Sequence, residues 1–505
     1  MRLGSALICS VAVALLACGG DEPSRAEPEI ETVLLISIDS LRADRLGAYG
    51  HSAPTSPTFD RLAAEGLLFT RAYSTTSWTL PSHAAMLSGL DDYAHGAYEA
   101  LSPISGGVMT LPLRLAKVGI KSTGFFAGPF LHPSYGFARG FEQYIDATSY
   151  GWKARGGIGK YVPHTASHQD VTNPIVLEKV AAWLDDEAAA GPDTRRRSFV
   201  FIHLWDVHYD YIPPPEYVKI FDPDYEGTLD GRGVLENPRI QPGMPARDLQ
   251  HLLALYDAEI RYTDDTVARL LELFDARGML ETSAIIITSD HGEEFFDHGR
   301  FGHGLTLNEE VLRVPMIVWL AGRRPARSTT DRVVSHIDIV PTVCELFAVD
   351  CRYDGLGDSL LPDYLEESPM ASRGDALAEI TNPLFDLDLT ARVDSEGTLL
   401  SENRSGQLTY GPFRGPGAPE GSFSVNGKKL ARYPEAVREA VLGIRERSTN
   451  AREQGARIRG AEEPGDQPID PDTLEQLEAL GYLDGKERGS EGGPDATDSA
   501  PGALR

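Results

Sequence analysis

A hydroxyl, two carboxylates and an imidazole occur where they could share one divalent cation. Thr79 lies in a segment that runs from 76 to 83, Asp39 ends an apolar run, and the pair Asp290-His291 follows another apolar run. Carboxylate oxygens and an imidazole nitrogen suit Zn, Mn or Ca with further oxygen ligands. A cation could also activate the Thr79 hydroxyl, which is otherwise a poor nucleophile. The pattern therefore predicts one metal ion held against an attacking oxygen.

Each part of this pattern also has an ordinary structural explanation. Pro81 favours the first turn of a helix that continues to Leu87, so Thr79 would lie at or just before the helix N-terminus. There it could cap the helix, or the free N–H groups could favour an anion beside it. The pair Asp290-His291 taken alone is typical of a surface turn. Asp39 is the stronger signal, because a carboxylate that ends a buried strand is costly unless it is paired or metal-bound.

The elements that position these residues alternate between strand and helix. Apolar runs that suit buried strands cover 33–39, 198–204, 284–288 and 315–319, and helical patterns cover 59–65, 111–117, 175–187 and 249–277. The alternation predicts an α/β sandwich with a largely parallel central sheet flanked by helices. Ligands bind at the carboxyl ends of strands in such sheets. Asp39, His203 with Asp206 and His208, and the pair Asp290-His291 all lie at predicted strand ends.

Length and charge limit the organisation and the partners. The chain has 505 residues, which suits one large domain plus a smaller one. We predict a catalytic domain over 31–370, a C-terminal subdomain over 371–485 with a short helix at 473–482, and a disordered tail over 486–505. The formal net charge is −28, so nucleic acid is not an expected partner, because its phosphates require a basic surface.

The N-terminus has the pattern of a targeting segment. Arg2 is followed by a short apolar run that ends in Leu15-Leu16-Ala17-Cys18, which resembles a bacterial lipobox. We interpret 1–18 as a lipoprotein signal peptide, Cys18 as the lipidated residue and 19–30 as a linker. A plain secretory signal is the alternative. The first interpretation predicts a lipid anchor to the membrane at the bacterial cell envelope, with the protein periplasmic or surface-exposed.

Two further cysteines remain in the body of the chain. Cys344 and Cys351 are close in sequence, and in an exported protein they could form a small-loop disulfide. Two buried thiols are the alternative. No further Cys or His falls at the spacing that a zinc site would need.

Several blocks in order resemble the sulfatase family, within the alkaline-phosphatase-like superfamily. The matching segments are 38–50, 78–83 with Gly89 and 95–96, 137–141, 203–208, 288–293, 298–304, 313–315 and 338–342. Their order and spacing fit from about residue 31 to residue 362. The resemblance implies an alkaline-phosphatase-like sandwich and a metal-dependent hydrolase of an anionic ester.

The resemblance also implies roles for individual residues. Asp39, Asp290, His291 and Thr79 would be the metal ligands, and Thr79 would be the covalent nucleophile. The other implied roles concern side chains near the substrate. His208 and His303 would contact its charged oxygens or act in catalysis, and His83 would be a further contact. Arg42 would support its loop by an ion pair with Asp44, and His95 would lie nearby. A second metal site of Asp206, His208 and His303 is a further candidate. The alternative is that these histidines hydrogen-bond the substrate or protonate the leaving group while Asp206 orients one of them.

Three departures from the family pattern affect the expected chemistry. Sulfatases of the family carry Cys or Ser at position 79, converted to formylglycine, and Arg at position 83, whereas this chain has Thr79 and His83. They commonly carry a further Asp where Ser40 stands, and the Lys of a Gly-Lys-Trp-His segment has no counterpart near 124–128. The hydrated aldehyde of formylglycine expels sulfate through its second hydroxyl, and Thr lacks this exit.

The departures shift the expectation from sulfate towards phosphate. The segment Thr-x-Pro-x-His also resembles the nucleophile segment of nucleotide pyrophosphatase/phosphodiesterases of the same superfamily. We therefore expect a hydrolase or transferase that acts on phosphate mono- or diesters and uses one divalent metal ion. A sulfuric ester hydrolase is the alternative within the same class, and a non-catalytic surface-binding lipoprotein is the alternative from another class.

Overall fold

The strands that the apolar runs predict are present, and they belong to one large sheet. The computed structural model describes residues 30–148, 171–190, 196–352, 355–366, 374–382, 387–394, 397–402, 407–412, 423–426 and 435–460. Up to residue 275 the elements are β1 (Thr32–Ile38), α1 (Pro57–Glu65), β2 (Leu67–Tyr73), α2 (Thr79–Ser88), α3 (Asp92–His95), α4 (Leu111–Lys117), β3 (Lys121–Phe126), β4 (Gln143–Asp146), α5 (Asn173–Ala190), β5 (Ser198–Leu204), α6 (Pro215–Phe221) and α7 (Ala246–Asp275).

The second half of the chain completes this sheet and adds another. Its elements are β6 (Ser283–Ser289), β7 (Glu294–Phe295), β8 (Phe301–Gly302), α8 (Glu309–Leu312), β9 (Arg313–Val314), β10 (Met316–Leu320), β11 (Thr329–Ser335), α9 (Ile339–Leu346), α10 (Leu361–Leu365), β12 (Asp375–Asn382), β13 (Leu387–Asp394), β14 (Gly397–Glu402), β15 (Gln407–Pro412), β16 (Phe423–Asn426) and α11 (Glu435–Gly460). Short 3₁₀ turns occur at Ala43–Arg45, Gly47–Tyr49, Pro129–Leu131, Pro133–Tyr135, Leu280–Thr282 and His336–Asp338.

The large sheet is mostly parallel, as the alternation of strands and helices predicts. Its strand order is β11-β2-β10-β6-β1-β5-β3-β4, with β9 paired to β2. The central strand β1 runs parallel to both β5 and β6, and the antiparallel pairs involve β9 and β10. The carboxyl ends of β1, β5 and β6 therefore meet at one edge of the sheet, which is where a ligand is expected.

The continuous apolar character of β1 has a direct structural cause. Val33 and Leu35 pack into the hydrophobic cluster on one face of the sheet, whereas Leu34, Ile36 and Ile38 pack into the cluster on the other face. Each of these five side chains has no exposed surface. A strand with helices on both sides needs apolar residues at every position. The alternation of apolar and polar residues that is typical of a half-exposed strand is therefore missing.

A second, antiparallel sheet follows the large one in the chain. It has five strands in the order β12 to β16, and α11 packs against α3 in the first half of the protein. The guanidinium of Arg447 on α11 donates two hydrogen bonds to Asp91 and one to Asp375, and all three residues are buried. The amide of Glu379 on β12 donates to the carbonyl oxygen of Thr75 at 2.7 Å. This second sheet is thus attached to the loop that leads to Thr79.

Some sequence predictions fall outside the described residues. These are the signal peptide with Cys18, nearly all of the linker, the short helix at 473–482 and the tail from 486. Within the described part of the chain, no helix combines the length and the apolar character needed to cross a bilayer. Cys344 and Cys351 are joined by a disulfide at the end of α9.

Candidate active site

Parallel pairing of the two central strands brings three ligand-type side chains together. Ile38 of β1 is in register with Ser289 of β6, so the next residues, Asp39 and Asp290, leave the sheet side by side. His291 follows directly. The ligand atoms of these three side chains lie within 4.8 Å of one another, and all three residues are fully buried. His291 Nε2 is 3.4 Å from Asp290 Oδ2 and 3.9 Å from Asp39 Oδ1.

The hydrogen bonds of this cluster hold each carboxylate by one oxygen and leave the other oxygen available. Asp39 Oδ1 accepts a hydrogen bond from Ser40 Oγ at 2.7 Å. Asp290 Oδ1 accepts from the amides of Ser40 and His291 at 3.0 and 2.8 Å. Among the atoms that the structure describes, neither Asp39 Oδ2 nor Asp290 Oδ2 has a hydrogen-bond partner, although both are buried. Buried carboxylate oxygens without partners are costly unless a cation neutralises them.

The tautomer of His291 also suits a cation. Its Nδ1 lies 2.9 Å from the carbonyl oxygen of Gly292. A carbonyl oxygen can only accept, so Nδ1 carries the proton and Nε2 presents its lone pair to the carboxylates. Two carboxylates and one imidazole with this geometry fit a divalent ion such as Zn or Mn.

Burial perturbs the charges of the cluster in the direction expected for a site built around a cation. Burial raises the pKa of Asp39 to about 6, although the nearby His291 and the Ser40 hydroxyl oppose the shift. Burial and the charge of Asp39 raise the pKa of Asp290. Burial opposes protonation of His291, but the two carboxylates outweigh it and the pKa of His291 is raised. The fold therefore brings together charges that a bound cation would stabilise.

Thr79 is the first residue of α2, with Trp78 at the N-cap position. Its Oγ1 lies 3.4 Å from His291 Nε2, and the residue is 2% exposed. The predicted position at the helix N-terminus is thus correct, and the hydroxyl reaches the carboxylate and imidazole cluster. The free N–H groups of the first helical turn can stabilise an anion beside this hydroxyl.

His83 has a different environment from the one that the sequence suggests. It lies one turn after Thr79, its Nδ1 is 2.9 Å from the carbonyl oxygen of Thr79, and its Nε2 is 2.9 Å from Ser37 Oγ. Burial lowers the pKa of His83 to about 3, so the ring is neutral. Nδ1 donates to the carbonyl and Nε2 accepts from the serine hydroxyl, so neither nitrogen is available to a substrate. The expected substrate contact is not supported, and His83 instead holds the first turn of α2.

His208 and His303 lie beside the cluster. The ring centroid of His303 is 4.3 Å from that of His291 and 5.1 Å from that of His208. His208 stacks on Trp205 with a centroid distance of 4.0 Å, and its Nδ1 lies 2.6 Å from the carbonyl oxygen of Tyr209. Within the described residues, His303 Nε2 is buried and has no hydrogen-bond partner. The ring of His303 therefore lies next to His291, and the ring of His208 lies next to that of His303.

Asp206 does not join these histidines. Its carboxylate accepts hydrogen bonds from the amide and hydroxyl of Thr172, both at 2.6 Å, and from the amide of Asn173 at 2.9 Å. It therefore holds the start of α5 and the loop that carries His208. Among the described residues, the group with metal-ligand spacing is Asp39, Asp290 and His291. The structure does not assemble the candidate second site of Asp206, His208 and His303.

Arg42 and His95 have structural partners. Arg42 pairs with Asp44 at 2.8 Å, as the sequence suggests, and with Asp297 at 2.9 Å, which the sequence does not indicate. His95 is fully buried, accepts a hydrogen bond from the amide of Ala97 at Nδ1, and has its Nε2 3.4 Å from Asp92 Oδ1. Both residues support loops around the cluster.

Two residues contact the site residues in a way that the sequence did not predict. His203 is the next-to-last residue of β5, opposite Ser37, and its Nε2 is 3.3 Å from Asp39 Oδ2. Burial lowers the pKa of His203 to about 4. Glu293 is fully buried, and its Oε1 is 2.9 Å from His303 Nδ1. The position of His203 at the end of a central strand was the only signal for it, and nothing local connects Glu293 with a histidine ten residues away.

A family model of the sulfatases matches residues 31–349, which is more than half of the chain. The chain belongs to the sulfatase family. This sulfatase-family protein is 22% identical over 432 residues to N-acetylglucosamine-6-O-sulfatase of Bacteroides thetaiotaomicron, with 70% of the chain and 74% of the relative covered. It is 27% identical over 399 residues to N-acetylgalactosamine-6-sulfatase of Homo sapiens, with 70% of each covered.

Solved structures support the fold. The phosphonate monoester hydrolase of Agrobacterium radiobacter superposes with a TM-score of 0.63 at 19% identity, covering 87% of this chain and 99% of that one. A 2-O GAG sulfatase superposes with a TM-score of 0.62 at 16% identity, covering 88% and 98%. The predicted fold class is confirmed. The sulfatase family is metal-dependent, and its members and structural neighbours are sulfuric or phosphoric ester hydrolases, so this sulfatase-family protein is an ester hydrolase.

Proposed function

We propose that this sulfatase-family protein cleaves phosphate mono- or diesters with Thr79 as a covalent nucleophile beside one divalent metal ion. The observation that carries the proposal is the position of Thr79 Oγ1, 3.4 Å from His291 Nε2 at the start of α2. The unpartnered oxygens of Asp39 and Asp290 belong to the same cluster. A hydroxyl, rather than formylglycine, is thus the attacking group at this position.

The identity of residue 79 supports phosphate over sulfate. The threonine side chain has one oxygen, so an ester formed on Thr79 can be cleaved only by attack at the transferred phosphorus or sulfur atom. Water as the attacking group gives hydrolysis, and an alcohol gives transfer. Phosphoryl groups pass between oxygens in this way when the attacking and leaving oxygens are in line.

The residues around Thr79 supply the remaining functions. Asp39, Asp290, His291 and Thr79 would hold the ion, for which Zn, Mn and Ca are the candidates. A bound ion would supply a Lewis acid that screens the charge of the ester and of the Thr79 oxygen. His208 and His303 are close enough to each other to contact the same transferred group, and His303 Nε2 is available as a proton donor to the leaving oxygen.

Sulfuric esters are the second candidate substrate class, because the curated relatives are named as sulfatases. The structural neighbours include phosphonate monoester hydrolases as well as sulfatases, so the preference for the first class rests on the identity of residue 79. A non-catalytic binding role is less well supported, since the hydroxyl, both carboxylates and the imidazole are all present and clustered.

The experiment compares aryl esters of four kinds. The full chain is assayed with added Zn, Mn or Ca on a phosphate monoester, a phosphate diester, a phosphonate monoester and a sulfate of the same phenol. Thr79→Val removes the hydroxyl at nearly constant shape and should lower kcat/KM by at least about 10³-fold. Thr76→Val is the matched control, because Thr76 is a buried threonine of the same loop.

Each result decides between the candidates. Phosphate or phosphonate as the best substrate supports the proposal, and sulfate as the best substrate by kcat/KM replaces it with the second candidate. Turnover that survives Thr79→Val would show that Thr79 is not the nucleophile.

The proposed location at the cell envelope depends on Cys18 and the lipobox-like segment before it. Expression with a labelled fatty acid should label the wild-type chain and not Cys18→Ser. Equal labelling of both chains would contradict the lipid anchor.

A further inference from the structure

A two-stranded hairpin places Glu293 and His303 opposite each other. Glu294 of β7 pairs with Gly302 of β8, and Phe295 pairs with Phe301. Glu293 and His303 are the next residues beyond this ladder, and His303 Nδ1 lies 2.9 Å from Glu293 Oε1. The contact is therefore set by the register of the hairpin.

Besides Glu293, a stacked tyrosine and a backbone hydrogen bond hold His303 in place. Tyr209 stacks on it with a centroid distance of 5.0 Å and an interplanar angle of 24°. Gly304, in the left-handed region at φ +75°, donates its amide to the carbonyl oxygen of Ser77 at 2.9 Å. This hydrogen bond connects the chain after His303 to the loop that carries Thr79. The ring is thus fixed relative to the nucleophile, and its Nε2 is the nitrogen left without a partner among the described atoms.

Glu293 has partners that suit a carboxylate. Its side chain is fully buried, and its Oε2 accepts a hydrogen bond from the Tyr211 hydroxyl at 3.1 Å. Its carbonyl oxygen accepts from Arg42 Nη1 at 3.1 Å, which brings a guanidinium close to the carboxylate. A negative charge on Glu293 would be stabilised by both groups.

We propose that Glu293 and Tyr211 are positioning residues that make His303 the proton donor to the leaving group. The inference rests on the proposed function and assigns the proton in its leaving-group step. When Glu293 and His303 together hold two protons, one lies between Oε1 and Nδ1 and the other is on Nε2.

The proton balance of both steps follows from this arrangement. Thr79 attacks as its alkoxide, so its own proton has left before this step; as its oxygen forms the bond to phosphorus, the bond to the leaving oxygen breaks and that oxygen takes the Nε2 proton. The proton between Oε1 and Nδ1 stays on the ring, and the negative charge remains on Glu293, where Tyr211 donates to it. In the second step water attacks phosphorus and the bond to the Thr79 oxygen breaks; one water proton goes to Nε2, the other stays on the phosphate, and Thr79 is released as its alkoxide, so the pair again holds two protons.

The test is the dependence of the rate on the leaving group. A poor leaving group such as phenol or an alkanol needs protonation, whereas 2,4-dinitrophenolate does not. The variants are Glu293→Gln, Tyr211→Phe and His303→Gln, assayed on esters of the class that the wild type cleaves best. Glu294→Gln is the matched control, because Glu294 is a buried glutamate of the same hairpin that accepts from Thr306 and Asn308 instead.

We expect Glu293→Gln to lower kcat on the poor leaving group by about 10²-fold and on the dinitrophenyl ester by less than about threefold. Tyr211→Phe should show the same selectivity at about tenfold. His303→Gln and the double variant Glu293→Gln/His303→Gln should be equally impaired, because both changes remove one function. Glu294→Gln should not change the selectivity.

Other outcomes overturn the inference. A loss that is equal for both leaving groups would make Glu293 a structural residue, and additive losses in the double variant would separate it from His303. Tyr211→Phe decides the matter if Glu293→Gln does not fold. Failure of the proposed function looks different: the wild type would then cleave no ester, or Thr79→Val would remain active.

Discussion

Replacement of Asp39 by asparagine should stabilise the metal-free protein and destabilise the metal-loaded one. Asp39 is fully buried, and one of its oxygens has no hydrogen-bond partner among the described atoms. Asparagine has nearly the same shape and can still accept the hydrogen bond from Ser40 Oγ. It carries no charge, so it avoids the cost of an ionised carboxylate in the cluster and also loses the attraction for a cation.

The magnitude follows from the pKa of Asp39. Burial raises this pKa from 3.8 to about 6, and the difference corresponds to about 3 kcal/mol. Because the folded-state pKa is raised, the unfolded chain releases its proton first. The metal-free protein therefore loses stability as pH rises from 3.8 to about 6, and above about 6 the loss is complete.

The assay is urea unfolding followed by tryptophan fluorescence, in chelator and in excess Zn or Mn. In chelator at about pH 7, Asp39→Asn should be more stable than the wild type by about 3 kcal/mol, with little difference at about pH 4. At a metal concentration about 10³ times the dissociation constant, the wild type should gain about 4 kcal/mol. The variant should gain much less, so the order of stability should reverse.

Asp206→Asn serves as the control for the metal response. Burial also raises the pKa of Asp206 to about 6, but its oxygens accept three hydrogen bonds from Thr172 and Asn173, and an amide NH₂ cannot replace both acceptors. The variant Asp206→Asn should gain the same stability from metal as the wild type. In chelator it should not be more stable than the wild type. A lower stability of Asp39→Asn than of the wild type in chelator, or equal stabilisation of both chains by metal, would contradict the proposed role of Asp39.

Three further predictions concern the support around the site. Arg447→Met removes the buried cation from Asp91 and should lower the free energy of unfolding by about 3–5 kcal/mol, measured in urea; a loss below about 1 kcal/mol, typical of an exposed pair, would contradict the buried ion pair. Burial and the nearby acidic residues raise the pKa of Glu379 well above its usual value. While this carboxyl stays protonated in the folded state, stability should fall by about 1.4 kcal/mol per pH unit above the unfolded pKa. Glu379→Gln should remove this dependence of stability on pH, which urea titrations at several pH values measure. An unchanged dependence in the variant would contradict the raised pKa of Glu379. The disulfide joins cysteines that are 7 positions apart in the sequence. The double variant Cys344→Ser/Cys351→Ser should lower the free energy of unfolding by about 2.5 kcal/mol. A reductant should have no further effect on the stability of this variant.

The sequence was sufficient for four adjacent strands of the large sheet, β10, β6, β1 and β5, and for the central cluster. Continuous apolar runs predicted β1 and β6 because strands covered on both faces need apolar residues throughout. The parallel arrangement then required Asp39 and Asp290 to emerge at one edge. The helix that starts at Thr79 was predicted from Pro81 and the apolar residues that follow it, which are local signals.

The partners of the histidines could not be predicted in the same way. His83 was assigned to the substrate, but its Nε2 is bonded to Ser37, which is 46 residues away in the chain. Asp206 was assigned to a second metal site, but the start of α5 uses both of its oxygens. Glu293 received no role, although the register of a hairpin brings it to His303.

The difference has a physical reason. Burial patterns and helix starts depend on residues within a few positions, so they can be read from the sequence. Whether an imidazole or a carboxylate faces a ligand depends on which of its atoms are already hydrogen-bonded, and those partners come from distant segments. The sequence by itself therefore determined that Asp39, Asp290 and His291 gather near Thr79, and only the tertiary structure decided which further side chains join them and which atoms remain available for chemistry.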